Sequence, residues 1–128
     1  TVVGKKMIPD SGGPGKFRGG MGQEVTLRND TGSPMTVLSM ANRTEFPAPG
    51  YNDGHPGTLR EHRINGKIIH PKGAHTLKPD DTITLVQAGG GGIGDPKERS
   101  KEKVTRDLSL GLISEQAAAR DYGYKTSK

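Results

Sequence analysis

The chain has 128 residues, of which 29% are hydrophobic, 4% are aromatic and none is cysteine, and it carries a net charge of +5. That length holds one domain; the absence of cysteine excludes disulfides, thiolate nucleophiles and cysteine-based zinc sites, and no apolar run approaches the ~20 residues that span a bilayer. With its 20 glycines counted, the apolar share reaches about 45%, an ordinary value, so the shortfall lies in large side chains. A thin core follows, one that a partner would complete.

Thr1-Val2-Val3 reads as a short strand with a polar link to Ile8-Pro9. A glycine cluster follows from Asp10 to Gly22, with Lys16 and Arg18 set among its glycines. Residues Gln23 to Asn29 alternate, with Val25 and Leu27 on one face, which is the period of a half-buried strand. Asn29 to Pro34 has the composition of a turn, so Met35 to Met40 is expected to return beside it as a hairpin. Phe46 to Gly57 carries three prolines besides its glycines and predicts a long irregular loop that docks or works.

Thr58 to Ile64 reads as a strand, and Asn65-Gly66 is a strong two-residue hairpin turn returning into Lys67-Ile68-Ile69-His70. Pro71-Lys72-Gly73 predicts another turn, and Leu77 to Asp81 a polar lead-in. Thr82 to Gln87 is the clearest strand and runs into a second glycine cluster, Gly89-Gly90-Gly91-Gly92-Ile93-Gly94-Asp95. Ser100 is placed to cap a helix through Leu110, with Val104 and Leu108 on one face and Gly111 at its end. Ser114 caps a second helix, Glu115 to Tyr122, which stops at Gly123. The expected fold is mainly β, a hairpin or sandwich-like body with long glycine-rich loops (residues 1–97), followed by a helical hairpin (98–124) and a tail (125–128).

No catalytic constellation converges. The second glycine cluster follows a strand, as phosphate-cradling loops do. It lacks both the Lys-Ser/Thr ending of a P-loop and a helix starting at once, so a tight structural loop or subunit contact is the better reading. Ser11 lacks the strand–elbow–helix setting of a hydrolase serine. His55, His62, His70 and His75 have no metal-ligand spacing. Lys16, Arg18, Gly89, Gly90, Gly91, Gly92 and Asp95 are the candidate loop or interface contacts. The charge permits an acidic partner, and a free RNA-binding module is the rival reading. Basic residues are scattered and stacking aromatics few, so nucleic acid is not expected. Nor is a membrane, and with neither cysteines nor a signal-peptide pattern the expected location is the cytoplasm.

Read in order, these phrases resemble the C-terminal part of the hydantoinase B/oxoprolinase family. They are Pro9 to Gln23, Arg43 to Gly57 with Phe46-Pro47 and Gly54-His55-Pro56-Gly57, Leu77 to Asp81, Gly89 to Pro96, and Gly111-Leu112-Ile113-Ser114 onward to Gly123. The resemblance implies a non-catalytic accessory subunit of a hetero-oligomer with larger hydantoinase A-type and hydantoinase B-type chains. A chain this short is similar to the small subunits of the family's acetophenone carboxylases, which join acetophenone and bicarbonate at the expense of ATP. ATP-dependent hydantoin or lactam hydrolysis is the alternative. ATP and a divalent metal, Mg or Mn, would sit on the partner subunits and none on this chain.

Overall fold

Seven strands and two α-helices occupy residues 1–125, which the computed structural model describes. The strands are β1 (Val2–Met7), β2 (Gln23–Arg28), β3 (Met35–Met40), β4 (Glu61–Ile64), β5 (Lys67–Ile68), β6 (Lys72–Leu77) and β7 (Thr82–Val86). A 3-10 turn (Pro96–Glu98) precedes α1 (Lys101–Ser109) and α2 (Glu115–Tyr122). Most of the tail expected at residues 125–128 lies outside the described residues.

One antiparallel sheet has the order β1-β2-β7-β4-β5. Directly opposed residues share a face, so the register stacks Leu27, Ile83 and Ile64 in one row and Val25, Leu85 and His62 in the next. The opposite face carries Thr26 against Thr84, whose hydroxyls lie 3.0 Å apart, and Glu24, Val86 and Glu61 in another row. The alternation read from the sequence is therefore real in β2 and β7. Asn65 (φ 50°) and Gly66 (φ 80°) make the expected two-residue turn between β4 and β5.

The hairpin expected from β2 to β3 does not form. β2 lies between β1 and β7, while β3 pairs with β6 in a separate two-stranded ribbon. The cause is Asn29, a buried residue at the end of β2. Its amide donates to the carbonyls of Ser33, Leu77 and Lys78, which turns the chain out of the sheet toward β6. Two further expectations change. β1 runs through the stretch read as a polar link, because its residues pair with β2 as far as Met7. β6 occupies Lys72–Leu77, where a turn was expected at its start; it has no apolar alternation and is set by pairing with β3.

The helices match their sequence signals. Ser100 accepts from the N–H of Lys103, Ser114 from that of Ala117, and Gly123 closes α2 with φ 61°. Val104, Ile113, Ala118 and Tyr122 form a small core, with Leu108 and Tyr124 packed against it. Outside the helical region, the buried apolar residues among those described are Ile83 of the sheet, Leu77 at the end of β6 and Ala41 just after β3. The chain exposes 8147 Å², whereas a self-contained monomer of this size exposes about 6,600 Å². Leu38, Met40, Phe46 and Tyr51 are each about three-quarters exposed or more.

A polar seam joins the ribbon to the sheet. Ser39 Oγ donates to the Pro71 carbonyl at 2.7 Å and so accepts from His62 Nδ1 at 2.9 Å. Burial first, then the charges of Arg60 and His75, holds the His62 imidazole below its ordinary value of 6.5. Folding thus favours neutral His62. Its stabilising share is complete above about pH 6.5 and is lost as pH falls from there through the lower folded value. Urea unfolding at pH 8 and pH 5 should show that loss, and His62→Gln, which keeps a donor for Ser39, should lessen it. Asp30, held at about 2 by hydrogen bonds from Arg28 and then from Thr1, acts in a separate window below its ordinary value of 3.8.

Candidate functional site

The two glycine clusters interlock with each other and with the proline-rich loop. Gly13 donates its N–H to the Gly90 carbonyl, and Gly90 donates to Gly20. Phe17 and Ile93 exchange two bonds of 2.9 Å. His55 donates to Pro14 and Gly92 to His55, so residues 48–58 form the third layer. Ser11 lies at the centre and is fully buried. Its hydroxyl donates to the Ile8 carbonyl and accepts from the N–H of Gly22 at 2.7 Å, so it is a brace rather than a free nucleophile.

Close approach, more than turn geometry, explains the glycines. A methyl group on Gly89 would overlap the Ser11 carbonyl, one on Gly19 the Gly90 carbonyl, and one on Gly91 the Pro49 carbonyl. Backbones can pass at such distances only where no Cβ intervenes. The same packing bears on how this loop's amides are used. The N–H groups of Gly89, Gly90, Gly92, Ile93 and Gly94 are donated to Thr58, Gly20, His55, Phe17 and Tyr51. A phosphate cradle needs such groups pointing outward together, and here they are engaged within the chain.

The charged candidates separate. Asp95 caps the 3-10 turn by accepting from the N–H of Lys97. The Lys16 side chain is exposed, while its carbonyl accepts from Arg99 at 3.1 Å. Arg18 turns inward and donates to Asp107 on α1 at 3.0 Å. Arg99 reaches the same carboxylate oxygen, also at 3.0 Å. All three side chains of this triad are largely buried, Asp107 and Arg99 almost completely. The triad fastens the helical pair to the glycine loops, helped by Asp10, which accepts from the N–H of Ser114 at 2.7 Å. Asp107 and Arg99 were not among the sequence candidates. The available signal was position: Asp107 lies three residues after Val104, so it shares the buried face of its helix.

Between α1 and the first glycine cluster lies an open cavity of about 370 Å³. Phe17 and Arg18 form one wall; Lys103, Arg106 and Leu110 form the other. The Lys103 ammonium stands 5.6 Å from the centre of the Phe17 ring, within cation–π range. Phe17, Ile93 and Tyr51 are bridged in a row beside it, and each is at least half exposed. Among the described residues no three His, Asp or Glu side chains come together to hold a metal, and no helix is long and apolar enough to cross a membrane.

The family model described as hydantoinase B/oxoprolinase matches residues 1–96. The caprolactamase subunit beta of Pseudomonas jessenii is 32% identical over 128 residues, covering 91% of this chain and 22% of that protein. The acetone carboxylase alpha subunit of Xanthobacter autotrophicus is 24% identical over 166 residues, covering 100% of this chain and 21% of that protein. The crystal structure of the ATP-dependent caprolactamase from Pseudomonas jessenii superposes with a TM-score of 0.79 at 24% identity, over 98% of this chain and 23% of the other. At that identity the superposition shows a shared fold. The chain spans about a fifth of the length of the curated relatives it matches.

Proposed function

The chain belongs to the hydantoinase B/oxoprolinase family, and from that premise we propose that it is a non-catalytic structural part of a hydantoinase B-type subunit in an ATP-dependent enzyme complex. The observation that carries the reading is surface. About 1,500 Å² more is exposed than a self-contained chain of this size would leave, and Leu38, Met40, Phe46 and Tyr51 are prominent in it. Excess surface on that scale, with those large apolar side chains exposed in it, fits a docking face, and the larger hydantoinase A-type and B-type chains are its occupants in this proposal. The interlocked glycine loops give a rigid block to dock.

The residues present do not fit ATP or a divalent metal in the glycine loops. Five N–H groups of the second glycine cluster, those of Gly89, Gly90, Gly92, Ile93 and Gly94, are already engaged, and no carboxylate–histidine cluster exists among the described residues. In the proposal, ATP and Mg or Mn belong to the partner chains, and no catalytic step is assigned to this one. Acetophenone carboxylation with bicarbonate is the first substrate reading. Lactam or hydantoin hydrolysis is the second, favoured by the higher identity to a caprolactamase subunit than to an acetone carboxylase subunit. The test is reconstitution with and without this chain, following phosphate release and product from acetophenone plus bicarbonate, from caprolactam and from hydantoin. Turnover that requires the chain supports the structural role, and the active substrate selects the chemistry. Full turnover without it overturns the reading.

A further inference from the structure

We propose that the cavity between the first glycine cluster and α1 is an oxyanion site that takes a phosphate-type dianion. Four cations, Arg18, Arg99, Lys103 and Arg106, border it against the single carboxylate of Asp107, leaving three positive charges unmatched. Asp107 fixes Arg18 and Arg99 in place, so half of the cationic wall is preorganised before any ligand arrives. The Nε of Arg99 is buried and has no partner among the described residues. Lys103 and Arg106 are three residues apart on one face of α1. Neither forms a salt bridge among the described residues; Lys103 instead stands over Phe17.

Like charges gathered around one cavity repel, and walls of low dielectric focus their field on an incoming anion. A carboxylate is a poor match, because one is already present and serves two guanidiniums. A phosphate dianion carries two charges and several acceptor oxygens, so it can meet Arg106, Lys103 and a spare Arg18 N–H from different sides. The site uses side chains throughout and needs none of the loop N–H groups. This inference is independent of the structural role proposed above.

The test is an NMR titration of the 128-residue chain at low ionic strength, reading backbone amides and arginine Nε–H signals. Inorganic phosphate is the first probe, followed by tripolyphosphate, by ATP and by adenosine. Saturating shifts at Phe17, Lys103, Arg106 and Leu110 are expected. Lys103→Gln/Arg106→Gln, both at exposed positions, should weaken binding by about tenfold or more, equivalent to one or two lost charge-assisted contacts. Lys67→Gln/Lys72→Gln removes equal charge from β5 and β6, outside the cavity, and should change affinity by less than about twofold. Tripolyphosphate matches the charge of ATP, so ATP binding more tightly than tripolyphosphate would identify a nucleotide phosphate as the source, and equal affinity of those two would identify a phosphate group without a base. Shifts that fail to saturate, equal losses in the two double variants, or adenosine binding as well as ATP would each overturn the site.

Discussion

Gly89→Ala is expected to destabilise the chain by about 3 kcal/mol or more, while Gly20→Ala should stay within about 0.5 kcal/mol of the parent. Both are glycines of the interlocked loops, and neither has a positive φ. They differ in what a methyl group would meet. At Gly89 it would overlap the carbonyl of Ser11, whose hydroxyl is already fixed by Ile8 and Gly22. Gly89 itself is held by its N–H to Thr58. Backbone faces backbone, so no side chain can swing aside, and the two glycine clusters would have to part. At Gly20 nothing lies within 4 Å of the added carbon. Equilibrium urea unfolding of both variants reads the difference. Equal losses would mean that glycine flexibility, and not close approach, is what these loops require.

Asp107→Ala is expected to cost about 3–5 kcal/mol, because it leaves two largely buried guanidiniums without their shared carboxylate. The helical pair holds much of the small apolar core, so the loss falls on a region with little reserve. Tyr122 is buried there with its hydroxyl unpartnered among the described residues, and burial pushes its phenol above the ordinary value. Limited trypsin digestion should then cut at Lys97, Lys101 or Arg106 well before the sheet. Asp107→Asn, which keeps acceptor oxygen but no charge, should fall between the parent and Asp107→Ala. Asp107→Leu combined with Arg18→Met and Arg99→Met should recover part of the stability, since an apolar trio needs no charge balance. A Tm for Asp107→Ala equal to the parent's would show that the triad does not fasten the helices.

The family was legible in the sequence because its phrases are loops whose glycines and prolines stand at fixed places, and those places are set by local backbone demands. The same holds for Ser100, Ser114 and Gly123 at the helix ends and for Asn65-Gly66 at the hairpin. A cap or a two-residue turn depends on neighbours in the chain, so its signal is written locally. The alternation in β2 and β7 likewise fixed which side chains face inward.

What the sequence left open was pairing at a distance. Alternation sets the face of β3 but names no partner, and the buried amide of Asn29 carried that strand away from β2 to β6. β6 has almost no apolar pattern and exists through its partner's hydrogen bonds. The cavity shows the same division. Arg18 stood out in the sequence, but its carboxylate lies 89 residues away on a helix whose buried face admits one acid. Local rules determined the elements, their ends and the glycine loops. Only tertiary packing decided that the two glycine clusters interlock, that Arg18 turns inward, and that Lys103 and Arg106 are left facing an open cavity, because those outcomes depend on backbones and charges brought together from opposite ends of the chain.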